Sequence, residues 1–216
     1  MVGCMLVACS TCTQLVPRDV RAAATPSPGG EDTSRFLPLF PLGVVAFPGE
    51  LVLLHIFEPR YKQLITESAE HGINFGIVTI VRGGASSVGT EMQLERILQT
   101  HDNGNMDVAT RGMRVFRLQS FQRDVEGKLY SGGQVSYTRN DPSFDPELQG
   151  ALVQLYNRMK YRAGSREAMA TPYPENLSFI IGHDVGLTRA QELQLLTMAV
   201  EGDRQAYLFQ HLVQTQ

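Results

Sequence analysis

Apolar residues fall in two blocks between Leu37 and Tyr61, and the prolines and glycines that divide them predict an extended segment, a turn, a strand and a helix in quick succession. Pro38 and Pro41 each remove a backbone donor and fix φ, so Phe36 to Leu42 is expected to run as an edge segment rather than as a central strand. After Phe47, Pro48-Gly49 favours a type II turn, which reverses the chain ahead of the apolar run Leu51 to Ile56. The period then changes. Glu58 followed by Pro59 reads as a helix start, with proline at the first helical position and a carboxylate near the positive end of the dipole. That helix is expected to run through Tyr61, Leu64 and Ile65 to Gly72.

Asn74 to Arg82 is apolar and β-branched on both faces, as in a buried strand, and Gly83-Gly84 ends it. Imperfect alternation predicts further strands over Glu91 to Thr100, Met106 to Arg111, Val115 to Asp124 and Lys128 to Tyr137. Turn formers at Asp102 to Asn105, Gly112 and Glu126-Gly127 separate them, giving an antiparallel, partly closed sheet. Past Asn140 the pattern turns helical. A helix starting at Asp145-Pro146 places Leu148, Ala151, Leu152, Leu155 and Met159 on one stripe. Pro174 to Gly182 reads as a short helix, Thr188 with Gln191 as the capping box of the next, and Asp203 as the cap of the last. Tyr207, Leu208, Leu212 and Val213 are expected to pack that last helix onto its neighbours. The fold class is α+β: residues 1–32 a flexible leader, 33–139 a β subdomain with one helix, 140–216 a helical bundle docked on it.

The LPLFPL opening, the FPG turn and the HIFEPRY element resemble, in order and spacing, the substrate-binding amino-terminal domain of the ATP-dependent Lon proteases. Val88-Gly89-Thr90, the turn Asp102 to Asn105 and Gly112-Met113-Arg114-Val115-Phe116 are similar to that domain's VGT, DG and GxxRF elements. The helices around Glu192 to Leu196 and Asp203-Arg204 also look similar, so the resemblance covers residues 35 to 214. It implies a PUA-like β part, with Pro38, Pro41, Glu58, Pro59, Gly112 and Arg114 as structural motif residues. It also implies a role in recognising unfolded proteins.

Charge and cysteine usage narrow the partners. The chain has a formal net charge of −3, a pI near 6.0 and 19 basic residues, three of them lysines, spread out rather than striped on one face; this argues against nucleic acid. No apolar run approaches the ~20 residues of a membrane-spanning helix. Cys4, Cys9 and Cys12 all lie in the leader, which fits a reducing, cytoplasmic setting. Cys9 and Cys12 have CxxC spacing without a second ligand pair, and Leu6 to Cys9 resembles a lipid-attachment box without a basic n-region or a long h-region. Ala22 to Asp32 reads as flexible, or as the product of an upstream start-codon assignment.

A search for catalytic chemistry returns weak patterns. With 216 residues the chain is too short to hold Lon's ATPase and serine-lysine peptidase. Gly84 to Glu91 has the glycine spacing of a phosphate loop, but Thr90 stands at the lysine position, so a hairpin loop is expected. Lys62, Lys128 and Lys160 lack any elbow motif, and HExxH, GxSxG and dinucleotide fingerprints are missing. His55 and Glu58 have HxxE spacing, which a metal-dependent hydrolase could use. The plainer expectation is that His55 packs at a strand end while Glu58 caps the helix and pairs with Arg60 or Arg114, the other histidines adding no ligand cluster. Met92, Met106 and Met113 suit core filling more than an adaptable surface.

What remains is binding. No cofactor, metal or catalytic residue is assigned. Phe47, Pro48, Gly49, Arg60 and Tyr61 are the candidate contacts for unfolded or exposed polypeptide segments, in a non-catalytic module working as adaptor or holdase with a separate protease or chaperone. A small-ligand or RNA-binding PUA-like protein is the alternative.

Overall fold

The Leu37 to Tyr61 pattern folds largely as its punctuation predicts in a computed structural model that describes residues 34–82 and 84–215. The cysteines, the lipid-attachment-like box, the Ala22 to Asp32 leader and Gly83 lie outside those residues. Strand β1 (Arg35–Leu42) is followed by β2 (Leu51–Ile56), α1 (Pro59–His71), β3 (Phe75–Val81), β4 (Gly84–Thr100), β5 (Met106–Gln122) and β6 (Ser131–Tyr137). Helices α2 (Pro146–Arg162), α3 (Leu177–Gly182), α4 (Arg189–Thr197) and α5 (Glu201–Thr215) complete the described chain. The described residues form one compact unit.

The strands are ordered β2-β5-β4-β3-β1-β6, and the far half of β5 also pairs with β6, so the sheet closes on itself with β2 appended outside the ring. Pairing is antiparallel except between β1 and β3. The expectation that Phe36 to Leu42 lies at a sheet edge is therefore corrected, since β1 sits between β3 and β6. Its prolines are tolerated because each half of the strand has one partner. Pro38 lies opposite Gly132 of β6 before the β3 pairing begins, and Pro41 lies opposite Val78 of β3 after the β6 pairing has ended.

Two further corrections concern strand length. Gly84 to Glu91 is not a loop but the start of β4, because the β3–β4 hairpin turns tightly and pairs Val81 with Gly84. Gly112 does not separate two strands either: β5 runs through it with a bulge, Glu91 facing Arg114 and Met92 facing Gly112. The bulge receives the Phe47-Pro48-Gly49 turn. Gly49 donates to the Gly112 carbonyl at 2.8 Å and Gly112 donates to the Glu50 carbonyl at 2.9 Å, while a Cβ at Gly112 would meet the Phe47 carbonyl oxygen at 2.1 Å. A side chain here would displace the turn.

The turn itself is as expected, with Gly49 at φ 85° and the Glu50 amide bonded to the Phe47 carbonyl. Helix α1 starts with Pro59 in its first turn and ends on left-handed Gly72; Glu58 makes no side-chain cap and instead pairs with Arg60. In the helical part, α3 begins at Leu177 rather than Pro174, and α5 begins at Glu201, so Asp203 lies in its first turn and is not its cap. Val213 faces solvent, and the buried face of α2 turns to Leu152, Val153, Leu155 and Tyr156. The capping box of Thr188 and Gln191 is present. Met92 and Met106 fill the β core, whereas Met113 is exposed.

One apolar cluster joins α2 to α5 with Val45, Phe47 and Val88; a second gathers α1 with Phe40, Ile56, Phe75 and Met92. The connector from β1 to β2 therefore packs into both layers. Among the described residues no helix is long and apolar enough to cross a membrane.

Candidate functional site

Among the described residues strand β2 is hydrogen-bonded on one side, to β5, and is the terminal strand in the sheet order. Alternation along it turns Leu51, Leu53 and His55 outward. Leu53 is 65% exposed, and Phe57, just beyond the strand, is 60% exposed. Such a strand presents unpaired backbone groups next to apolar side chains, the combination that accepts an added strand.

A groove opens beside this edge. A concavity of about 790 Å³ lies between Leu42–Ala46 and β2, with His183, Arg189 and Glu192 closing its helical end. It shares Leu42, Gly43 and Leu54 with a neighbour of about 330 Å³ floored by Phe40 and Tyr61. That one shares Pro41, Arg60 and Ile80 with a third, of about 640 Å³, at the end of the barrel beside Phe121 and Leu129. The exposed side chains of Val44, Leu53, Phe57, Ile80, Phe121 and Leu129 make the path mostly apolar.

The sequence-stated contacts divide between this groove and the core. Arg60 is exposed on its wall, with its guanidinium 2.7 Å from Glu58 and 4.5 Å from the Tyr61 ring centre. Tyr61 is mostly buried and stacks on Phe40 at 3.7 Å, so it supplies floor rather than an exposed ring. Phe47 is fully buried against Phe179 and His183, and Pro48 is buried beside it, while Gly49 is exposed. The expectation that Phe47 and Pro48 offer surface for a ligand is thus corrected by burial: they hold the connector in place. Arg114 bonds the buried Glu91 at 2.6 Å and covers the Tyr137 ring at 3.4 Å, a structural use.

The helical end carries a charged clamp that sequence reading missed. His183 lies 3.1 Å from Glu50 and 2.7 Å from Glu192, linking the β1–β2 connector to α4. The hydrogen bond with Glu50 is the chief cause that pushes His183 up from 6.5 to about 9, against the opposing effect of its burial. Because the folded value is raised, this stabilisation is fully present below about pH 6.5 and is lost as pH climbs through about 9. Side-chain exposure of 35% limits the effect to roughly 1 kcal/mol by solvent screening. Urea unfolding of wild type and His183→Gln at pH 6.5 and above pH 9 should therefore show a stability gap that closes at the higher pH. A gap independent of pH would remove the clamp.

His55 does not converge with Glu58, which turns to Arg60. It bonds Asp107 at 2.6 Å, and His101 bonds the other Asp107 oxygen at 2.7 Å. The hydrogen bond from His55, then that from His101, hold the Asp107 carboxyl below its ordinary range. The expectation that the histidines form no cluster is corrected: strand register, invisible in linear spacing, puts Asp107 opposite both His55 and Gln99.

Comparison with known proteins follows the same lines as this geometry. A crystal structure of a Lon N-terminal domain protein from Xanthomonas campestris is similar, with a TM-score of 0.65 and 28% identity, covering 82% of this chain and 98% of that one. The N-terminal domain of the Lon protease of the Mycobacterium avium complex shares the fold at a TM-score of 0.64 and 16% identity, covering 83% of this chain and 98% of the other. No curated protein matches the chain significantly. A sequence profile of the ATP-dependent protease La (LON) substrate-binding domain matches residues 36–214, from β1 to the last turn of α5, and on that match the chain belongs to the LON substrate-binding domain family.

Proposed function

We propose that the chain is a non-catalytic polypeptide-binding module that captures unfolded or extended segments by pairing them along the free edge of β2, with their side chains lodged in the adjoining groove. The observation that carries this reading is the coincidence of a strand edge unpaired among the described residues with apolar side chains on adjoining concavities. Backbone pairing gives affinity that tolerates many sequences, and Leu53, Phe57 and Ile80 add apolar contact without demanding a particular partner residue. Arg60 and Tyr61 belong to this site as wall and floor, and Phe47 and Pro48 support it from beneath. The site lies within residues 33–139, and the helical residues 140–216 close one end. With unfolded segments as its ligands, the module works as a holdase or as an adaptor that delivers them to a separate protease or chaperone. RNA gains less from this groove, because its lining is mostly apolar and its cations share it with carboxylates: Arg60 pairs with Glu58, and Arg123 and Arg189 line it together with Asp124 and Glu192.

The test is fluorescence anisotropy with a labelled, permanently unfolded polypeptide and the same polypeptide folded. Saturable binding to the unfolded form alone is expected. Leu53→Lys removes an apolar contact and places a charge at the strand edge; burial of one leucine is worth about 1.5–3 kcal/mol, so affinity should fall about tenfold or more. Equal binding of folded and unfolded forms, or an unchanged affinity in the variant, would remove the edge from the proposal.

A further inference from the structure

We propose that His55, His101 and Asp107 form a binding site for a divalent transition-metal ion of the zinc class, at the end of the β2 edge strand. One ligating atom from each of the three residues lies within 4.8 Å of the others, although they come from three strands or turns. Register accounts for the meeting. His55 faces Asp107 across the β2–β5 pair, and His101 opens the β4–β5 turn, where its amide takes the Asn105 carbonyl at 2.8 Å.

The donor set decides the kind of ion. Two imidazoles and one carboxylate suit zinc, cobalt, nickel or copper, whereas calcium and magnesium require mostly oxygen ligands. The histidine nitrogens stand 2.6 and 2.7 Å from the Asp107 oxygens, as hydrogen-bonded groups do. Around a tetrahedral ion with bonds of about 2.0–2.2 Å, ligand atoms sit roughly 3.3 Å apart, so the two histidine–carboxylate distances have to open by less than about 1 Å while the ligating histidine atoms, within 4.8 Å of each other, close by up to about 1.5 Å. On binding, each imidazole presents a lone pair from the nitrogen now facing Asp107, and its ring proton resides on the distal nitrogen.

Both distal nitrogens have an amide beside them. The Asn105 carboxamide is 3.3 Å from His55 Nε2 and the Gln99 carboxamide is 3.5 Å from His101 Nδ1. Turned about its terminal bond, either amide offers its oxygen to that ring N–H, the outer hydrogen bond that orients metal-bound histidines. The trio is half-exposed, so coordination positions beyond the three protein ligands are open to water or to a donor on a bound molecule. This inference stands apart from peptide capture and does not depend on it.

The experiment uses the full chain carrying Cys4→Ser, Cys9→Ser and Cys12→Ser, which removes its three thiols as competing ligands, after dialysis against a chelator. Cobalt(II) is titrated while its visible absorption is followed, and zinc is then added to displace it. One equivalent of cobalt bound with nitrogen and oxygen ligands, displaced by zinc, is expected. His101→Gln and Asp107→Asn should each weaken binding at least about tenfold, the loss known even for outer-shell changes at metal sites, while the exposed His71→Gln leaves it unchanged. Circular dichroism confirms that each variant is folded. Loss of binding in the cysteine-free chain itself, or equal affinity in His101→Gln, Asp107→Asn and His71→Gln, would overturn the site and leave the trio as a hydrogen-bonded network only.

Discussion

Arg204→Ala is expected to lower the free energy of unfolding by about 3–5 kcal/mol, the loss typical of removing one partner from a buried ion pair. Arg204 is 1% exposed and Glu201 is fully buried, with the guanidinium 2.7 Å from the carboxylate. The same guanidinium donates to the Met198 carbonyl, the Asn140 side chain and Ser178 Oγ, and it lies 4.3 Å from the Phe179 ring centre. Glu201 in turn accepts from the Ser178 amide and hydroxyl and from Gln205. One pair thus fastens the start of α5 to α3 and to the segment leaving the barrel. Truncating Arg204 strands a carboxylate in a dry interior, which costs more than the pair itself contributes. The double variant Glu201→Gln with Arg204→Met should therefore recover part of the loss, since replacing both charges by shapes of similar volume can be nearly neutral. Urea midpoints for wild type and the two variants at pH 7 decide it. A loss below about 1 kcal/mol for Arg204→Ala would mean that water reaches Glu201.

That network shows what linear pattern reading can and cannot reach. Local rules were enough wherever the cause is local: Pro48-Gly49 sets its own turn, Pro59 sets a helix start, and Thr188 with Gln191 caps a helix within one turn. Proline rules alone misplaced β1, because whether a missing donor matters depends on which neighbour stands opposite, and that is fixed by register. Gly112 was legible as a special position but not as a bulge. Its role comes from a turn over sixty residues earlier in the chain closing onto it. The site was half legible for the same reason. Arg60 and Tyr61 border the groove, whereas the outward faces of Leu53 and Ile80 follow from pairing and closure that no spacing encodes. His55, His101 and Asp107 were each visible, but only the β2–β5 and β4–β5 registers bring them together.

Phe47→Ala should separate support from contact at the groove, with an expected loss of about 3–5 kcal/mol in stability and no change in the affinity of the folded fraction for an unfolded polypeptide. The ring is fully buried, stacked on Phe179 at 5.3 Å and lying 4.4 Å from the His183 ring. Gly182 leaves room for it, since a Cβ there would meet the Phe47 ring at 2.8 Å. A ring nested so closely has few neighbours able to collapse into the space it vacates, so the residual cavity adds to the lost transfer energy. Leu53→Lys is the mirror image. Its side chain is 65% exposed, so the folded state loses little, while the added charge stands where a client strand must approach. Urea unfolding and anisotropy on the same two proteins give four numbers, and the two mechanisms assign them opposite patterns. Should Phe47→Ala keep its stability and lose binding, the ring would have to leave the core to meet its ligand. The connector between β1 and β2 would then be the moving part of the site rather than its foundation.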